Sequence, residues 1–339
     1  MKGWIVKEPF KLEKEEMIRK NASPEGLIKV KVTKSLLTLS DVLGFNGENA
    51  VKGVALGSFG TGIISETQPN LLGLESGRHV YISPYKPCAV CHNCQNDDFG
   101  KCSDMKIAGT DYDGFLRDFV DTEPGSLFPL PESVSDLEAL FIDYVSLAVS
   151  IIDKLHIEKG DYVSVVGANF FGIILSQILI YYQAVPILCA QHKENFDIAK
   201  KSGVYYVLGE NDNWQKEVLS ITGGRMTKHV VYMSDSDIPI VKAFSLASYG
   251  ARLVYTGISG KNSAFSFNQA IKKQLNIVCI NSGYDNTETA INLIANDAID
   301  ISRFNIKSFP DEKAAEVLNE MNQALSEKGF ATETMIEMK

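Results

Sequence analysis

The chain has no surplus of positive charge: 33 Lys and Arg stand against 42 Asp and Glu, a net charge of -9. No general attraction draws it to phosphate backbones or anionic lipid, so nucleic acid is not an expected partner. Cysteine is scarce, six in 339 residues, which excludes a disulfide scaffold. Internal repeats and low-complexity tracts are absent. The opening MKGWIVKEPFKLEKEEMIRK breaks its short apolar start at Lys7 and Glu8 and continues in mixed charge, unlike a secretory leader, so the cytoplasm is the expected compartment. A membrane span needs more argument, because Tyr162 to Gln191 carries no charged residue and is long enough to cross a bilayer. Gly167, Gly172 and Pro186 punctuate that stretch, Asn169, Ser176, Gln177 and Gln183 interrupt it, and no Lys/Arg-rich flank orients it. The expectation is a buried strand, a helix and a second buried strand of a soluble protein, since parallel strands covered on both faces are apolar throughout.

The composition that is present, 45% hydrophobic and 22% charged with 26 Gly and 11 Pro, is that of a folded globular protein, and the length suggests two units. Residues 1 to about 140 hold short β-like runs (Leu27 to Val32, Gly53 to Leu56, Gly62 to Ser65, His79 to Ile82, Phe115 to Val120) separated by Gly, Pro and Asn. From about Ser133 strand-like and helix-length segments alternate: Asp161-Val166, Gly172-Tyr182, Val185-Ala190, Asn195-Ser202 and Tyr205-Leu208. His229-Met233, Pro239-Leu246, Ala251-Thr256 and Asn276-Asn281 continue the alternation, which marks a doubly wound sheet. The tail reads as amphipathic helices at Glu288-Ala295 and Lys313-Glu327 and a last strand-like run to Glu337. The mixed-charge run Lys11 to Lys20 is expected to be solvated surface.

Two motifs carry chemistry. In PCAVCHNCQNDDFGKC, Cys88, Cys91, Cys94 and Cys102 are spaced so that four thiolates can close around one ion. Four sulfur ligands with no open position describe a structural zinc. An iron–sulfur cluster is the competing reading, although a ferredoxin-type run has its fourth Cys after three residues with Pro behind it. His92 reads as a bystander. In VSVVGANFFGIIL a buried strand enters Gly167-x-Asn169-x-x-Gly172 and then a helix, the context of a dinucleotide turn. Asn169 replaces the middle glycine, and an ordinary strand-helix turn is the alternative. Where an NAD site places an acid on the ribose, this chain has Ala190, Gln191, His192 and Lys193, which leans toward NADP(H) or else marks a lost ribose contact. Cys189 and Cys279 lie in apolar runs and are expected to be buried.

These residues resemble the medium-chain, zinc-containing alcohol and polyol dehydrogenases, in layout close to the sorbitol and threonine dehydrogenase branch. The resemblance runs through MKGWIV, TLSDVLGFNG at 38 to 47, GSFGTG at 57 to 62, the cysteine lobe, DGFLRDFV at 113 to 120, PLPESVSDLEALFIDYVSLAVSII at 129 to 152, the nucleotide turn and YGARLVYTGISG at 249 to 260. It implies an α/β protein with a GroES-like, β-rich catalytic domain (1–145, with a structural zinc lobe at about 84–105) and a Rossmann doubly wound parallel-sheet domain (146–283). A C-terminal segment (284–339) would return to the catalytic domain. It further implies a nicotinamide cofactor, NAD(H) or NADP(H), touched by Gly167, Asn169, Phe171, Gly172, Ala190 to Lys193 and Gly257, a small-molecule substrate, and a homo-oligomer, dimer or tetramer.

The family's catalytic zinc sits on a Cys, a His and a Glu or Cys, and motif-on-motif alignment puts Thr38, Ser58 and Asp143 there, with Phe59 at the glutamate that follows the His. Neutral hydroxyls are poor zinc ligands, so no catalytic zinc is expected. Losing that Lewis acid removes unactivated alcohols from the expected substrates and leaves activated acceptors. Ser40 matches the family's proton-relay hydroxyl, and Asp143 and Tyr144 are candidate acid or orienting groups. Each also has a structural reading, as turn residue, helix cap or ion-pair partner, and packing group respectively. A non-catalytic family member, and a zinc held unusually with Asp143 as sole recognisable ligand, are the competing expectations.

Overall fold

The structure, a computed structural model, describes residues 2–17, 26–48, 53–67, 70, 72–236, 238–257 and 266–339. It divides into two compact units, Met1–Asp143 with Ile306–Lys339, and Tyr144–Asn305.

The first unit opens with a hairpin of β1 (Lys2–Glu8) and β2 (Lys11–Glu16), turned at Phe10, whose φ is +65. The charged run expected as surface is therefore partly a strand, with Leu12 turned inward; residues 18–20 of it lie outside the described residues. The long β3 (Ile28–Leu37) is the spine. Val30, Val32, Leu36 and Leu37 are fully buried on it. After α1 (Leu39–Phe45) come β4 (Phe59–Glu66) beside β3, β5 (His79–Ile82), the short pair β6 (Tyr85–Lys86) and β7 (Lys106–Ile107) around α2 (His92–Gln95), then β8 (Phe119–Thr122) on β3 and β9 (Leu127–Pro129) on β5. Gly53 to Leu56 forms only a bridge, Ile5 to Ala55. The helix α3 (Asp136–Ala139) follows, opened by a capping box of Ser135 and Glu138, and then α4 (Ile142–Leu155), which from Tyr144 onward belongs to the second unit.

The second unit is built on β10 (Tyr162–Val166), α5 (Phe170–Tyr181), β11 (Val185–Cys189), α6 (Lys193–Lys201), β12 (Tyr206–Leu208), α7 (Trp214–Ile221), β13 (Thr227–Met233), α8 (Ile240–Leu246), β14 (Ala247–Thr256), α9 (Asn268–Lys273), β15 (Asn276–Cys279) and α10 (Thr287–Ala295). The six strands pair in parallel in the order β12-β11-β10-β13-β14-β15. The chain reverses its winding between β10 and β13, the switch point at which open α/β sheets bind ligands beyond the strand C-termini. The uncharged stretch 162–191 is thus strand, helix and strand. Two of its buried polar side chains bond within the unit: Ser176 Oγ donates to Gly172 O at 2.8 Å, and Gln177 exchanges two hydrogen bonds with the Asp300 backbone. Among the described residues no helix is long and apolar enough to cross a membrane.

Residues 284–305, expected with the returning segment, lie in the second unit. Ser146 Oγ bonds Gly283 O at 2.5 Å and Asn286 Nδ2 bonds Ser150 Oγ at 2.9 Å, so this stretch docks on α4 before the chain leaves. Beyond it β16 (Ser308–Pro310), α11 (Ala314–Lys328) and β17 (Thr334–Glu337) complete the first unit, β17 pairing antiparallel with β3. Cys189 is fully buried as expected; Cys279 is exposed. The run around Cys279 is apolar, but β15 is an edge strand paired only with β14 among the described residues, which leaves it partly open.

Candidate functional site

The cysteine lobe is assembled by local geometry. Ala89 takes a left-handed turn, φ +58, and Cys91 caps the single-turn α2 that carries Cys94. The backbone N–H of Cys91 donates to Cys88 Sγ at 3.4 Å and that of Cys88 to Cys102 Sγ at 3.2 Å. All four sulfur atoms lie within 4.8 Å of one another. Cys91 Sγ is 3.5 Å and Cys88 Sγ 4.0 Å from Cys94 Sγ, close to the edge of about 3.8 Å in a tetrahedron of zinc–sulfur bonds. Backbone N–H groups of Cys94 and Ser103 pull the Cys91 thiol down to about 5, while burial pushes Cys94 up to about 12. The residues fit a closed structural zinc, whose charge would hold every thiolate deprotonated. His92 is exposed and outside the cluster.

Thr38 and Ser58 meet at the start of α1. Thr38 is its N-cap and forms a capping box with Asp41, whose carboxylate accepts the Thr38 N–H at 2.8 Å. The two hydroxyls are 3.0 Å apart, Ser58 Oγ donates to Asp41 Oδ2 at 2.7 Å, and the Gly57 N–H donates to Asp41 Oδ1 at 2.7 Å. Burial raises the Asp41 carboxyl, opposed by the Ser58, Thr38 and Gly57 bonds. Asp41 was not singled out in the sequence; the T-x-x-D spacing of a capping box was the available signal. Phe59 is buried at the head of β4. Ser40, half-buried in the first turn, donates its N–H to Thr38 Oγ1 at 3.2 Å.

Asp143 is buried in the first turn of α4 and accepts the Tyr85 hydroxyl at 3.0 Å. Burial raises its carboxyl to about 7, against the pull of the Tyr85 bond, and its field helps burial push Tyr81 and Tyr85 well above the usual phenol range. Among the described residues the four cysteines are the one group of three or more His, Cys, Asp or Glu side chains that converge as ligands. Tyr144, in the second unit, packs edge-on against Phe171 with ring centroids 5.7 Å apart.

The glycine-rich turn joins β10 to α5. Gly167 has φ +120, and a Cβ on Gly172 would lie 2.1 Å from Gly167 O, so the turn closes only because that position is bare. Asn169 is the N-cap of α5: its Oδ1 accepts the Gly172 N–H at 2.9 Å, and its Nδ2 donates to Asp235 Oδ2 at 2.7 Å. Burial raises the Asp235 carboxyl to about 6. Asp235, two residues past β13, was missed, since nothing local marks it. Gly257, with φ +96 just past β14, comes against it: a Cβ there would lie 3.2 Å from Asp235 Oδ1. Phe171 is buried, as is Ala190, whose N–H bonds Leu208 O at 2.8 Å. Gln191 and His192 are half-buried, Lys193 is exposed, and an exposed Glu194 follows in the first turn of α6. The strand, the turn and the tight Gly172 contact suit a dinucleotide; the Asn169–Asp235 pair is the part that opposes one.

Two family models match this chain: an alcohol dehydrogenase GroES-like domain over residues 24–132 and a zinc-binding dehydrogenase over residues 171–296. A D-xylulose reductase A from Aspergillus oryzae is 24% identical over 283 residues, 80% of this chain and 79% of its own. An alcohol dehydrogenase from Escherichia coli CFT073, solved with NADH, is 20% identical and superposes with a TM-score of 0.85 over 99% of both chains. A zinc-binding dehydrogenase from Sinorhizobium meliloti 1021, solved with NADP, is 17% identical with a TM-score of 0.87 over 99% of this chain and 98% of its own. With the GroES-like and Rossmann units, the four-thiol lobe and these matches together, the chain belongs to the medium-chain, zinc-type alcohol and polyol dehydrogenase family.

Proposed function

We propose that the chain is an NAD(P)H-dependent reductase that acts without a catalytic zinc on a small activated acceptor: an enone, an imine or iminium ion, or a carbonyl. The corner formed by Thr38, Ser58 and Asp41 carries this reading. Two of the three positions where the family holds its catalytic metal are neutral alcohols, already bonded to each other and to a buried carboxylate. A divalent ion there would have to displace those bonds and accept hydroxyl oxygens in place of a thiolate and an imidazole. Without a Lewis acid the chain lacks several kcal/mol of stabilisation for a developing alkoxide, so the acceptor must be activated already.

When bound, the nicotinamide supplies the hydride; this chain's residues handle the proton. Asp143, buried and titrating at about 7, is half protonated near neutrality and is suited to hold or give up a proton, with the Tyr85 hydroxyl fixing one of its oxygens. The Ser40 hydroxyl is the proposed relay, and Tyr144 a proposed orienting group. Gly167, Asn169, Phe171, Gly172, Ala190, Gln191, His192, Lys193 and Gly257 are the proposed cofactor contacts. Absence of an acid from 190 to 193 leans the choice toward NADP(H). The working form is proposed to be a dimer or tetramer in the cytoplasm.

Metal analysis and fluorescence titration test this together. One zinc per chain with binding of NADPH or NADH supports it. A firmly held second ion beside Asp143 would replace it with a zinc dehydrogenase of unusual ligands, and no binding of either dinucleotide at millimolar levels would remove it. The Asn169–Asp235 contact favours a second reading, a non-catalytic family member acting as partner or regulator. Turnover of any enone, imine or carbonyl in a cofactor-oxidation screen rules that out.

A further inference from the structure

In a turn of the Gly-x-Gly-x-x-Gly kind the middle residue is bare so that a pyrophosphate can reach the backbone N–H groups and the positive end of the helix. Here that position carries a side chain engaged at both ends. The Asn169 backbone, φ -67 and ψ 179, is extended and does not itself require glycine, so nothing in the conformation excluded an amide. Its oxygen already satisfies the Gly172 N–H at the helix start, and its nitrogen holds the carboxyl group of Asp235 at 2.7 Å.

Oxygen atoms without donors gather beside this pair. Asp235 Oδ1, Ser234 Oγ and Thr256 Oγ1 are buried and without a hydrogen-bond partner, and Thr256 is 2% exposed. Ser234 Oγ and Asp235 Oδ1 lie 3.1 and 3.2 Å from where a Cβ of Gly257 would stand, at the aligned ends of β13 and β14. Tyr232, on the same strand end, is the titratable neighbour whose field it shares; it stays neutral and donates to Ile238 O at 2.9 Å. Among the described residues no Lys, Arg or His is paired with Asp235. An ionised carboxylate placed this way faces the same helix end as a phosphate would, with no cation of the described residues paired to it.

We propose that Asn169 and Asp235 form the affinity-determining element of the dinucleotide turn: the pair occupies the phosphate-facing end of α5 with this chain's own amide and carboxylate, so phosphate-bridged cofactors bind weakly until the Asp235 charge is removed. The inference rests on the dinucleotide reading above. Two like charges in a partly desolvated pocket repel strongly, whereas a phosphate-free nucleoside meets no such opposition.

The test is calorimetric or fluorescence titration of the full chain at pH 8 with NADH, with NADPH and with adenosine as a phosphate-free control, for the natural chain and for Asp235→Asn. The amide keeps the shape and an acceptor for Asn169. The expected result is at least tenfold tighter binding of both dinucleotides by Asp235→Asn, with adenosine within twofold. Unchanged or weaker dinucleotide binding, or an equal gain for adenosine, would overturn the inference while leaving the cofactor assignment in place. Asp235→Ala is the second variant should the amide not fold, with the same result expected. Binding by a variant but not by the natural chain supports the inference and removes the cofactor from the natural chain's role. Silence of every variant overturns both.

Discussion

In the cysteine lobe four sulfur atoms converge within 4.8 Å, whereas at the head of α1 two alcohol oxygens are satisfied by each other and by Asp41. Both places belong to one folded unit. The lobe brings together four soft sulfur donors that a zinc ion would hold as thiolates. The corner holds groups that complete their hydrogen bonds with one another. A polar cluster that is fully satisfied internally no longer needs an ion, while a cluster of convergent thiols does.

The sharpest way to break this contrast is Cys94→Ser. It is expected to lower bound zinc from about one per chain to near zero and to cost at least about 3 kcal/mol of stability, since structural zinc binding is folding energy. Mass-spectrometric metal analysis and thermal unfolding read both, and retained zinc would mean the ion sits elsewhere.

Next is the buried carboxyl at the start of α4. Burial raises Asp143 from the ordinary carboxylate range to about 7, so the folded state binds a proton that the unfolded state releases near pH 4. That contribution is complete below about pH 4 and is lost as pH rises through about 7, by up to about 4 kcal/mol. Asp143→Asn is expected to flatten this slope and to unfold at a higher temperature than the natural chain at pH 8. An unchanged pH profile would place the carboxylate in contact with a cation.

Ser58→Ala is expected to cost about 2 kcal/mol, because Asp41 loses a hydroxyl donor while still buried. Zinc content should stay at about one per chain; a fall of one ion would show that the corner does hold metal. The smallest effect belongs to Cys279: in the zinc-loaded chain this exposed thiol should be alkylated before buried Cys189, with a stability change under about 0.5 kcal/mol by thermal unfolding.

Much of the architecture was legible in local pattern. The apolar runs of β10 and β11, with Gly167, Gly172 and Pro186 between and within them, marked strand, helix and strand where a bare hydropathy count suggested a membrane span. The Cys88 to Cys102 spacing announced its lobe because the ligands lie within fifteen residues and the turns between them leave few arrangements. Cys279 misled for the opposite reason: its apolar neighbours are those of an inner strand, and only its place at the sheet edge exposes it. The return of the chain was expected at 284, whereas the Gly283, Asn286 and Asp300 contacts keep that stretch in the second unit.

By itself the order of residues determined the two-unit family fold and the four-thiol lobe. Each follows from side-chain chemistry or from spacing along a short segment. Tertiary structure decided the rest. Ser58 is brought to Asp41 by the approach of β4 to α1, and Asp235 is brought to Asn169 across sixty-six residues by the parallel register of β10 and β13. A hydrogen bond between distant residues depends on which strands lie side by side, and strand order is set by the packing of the whole sheet.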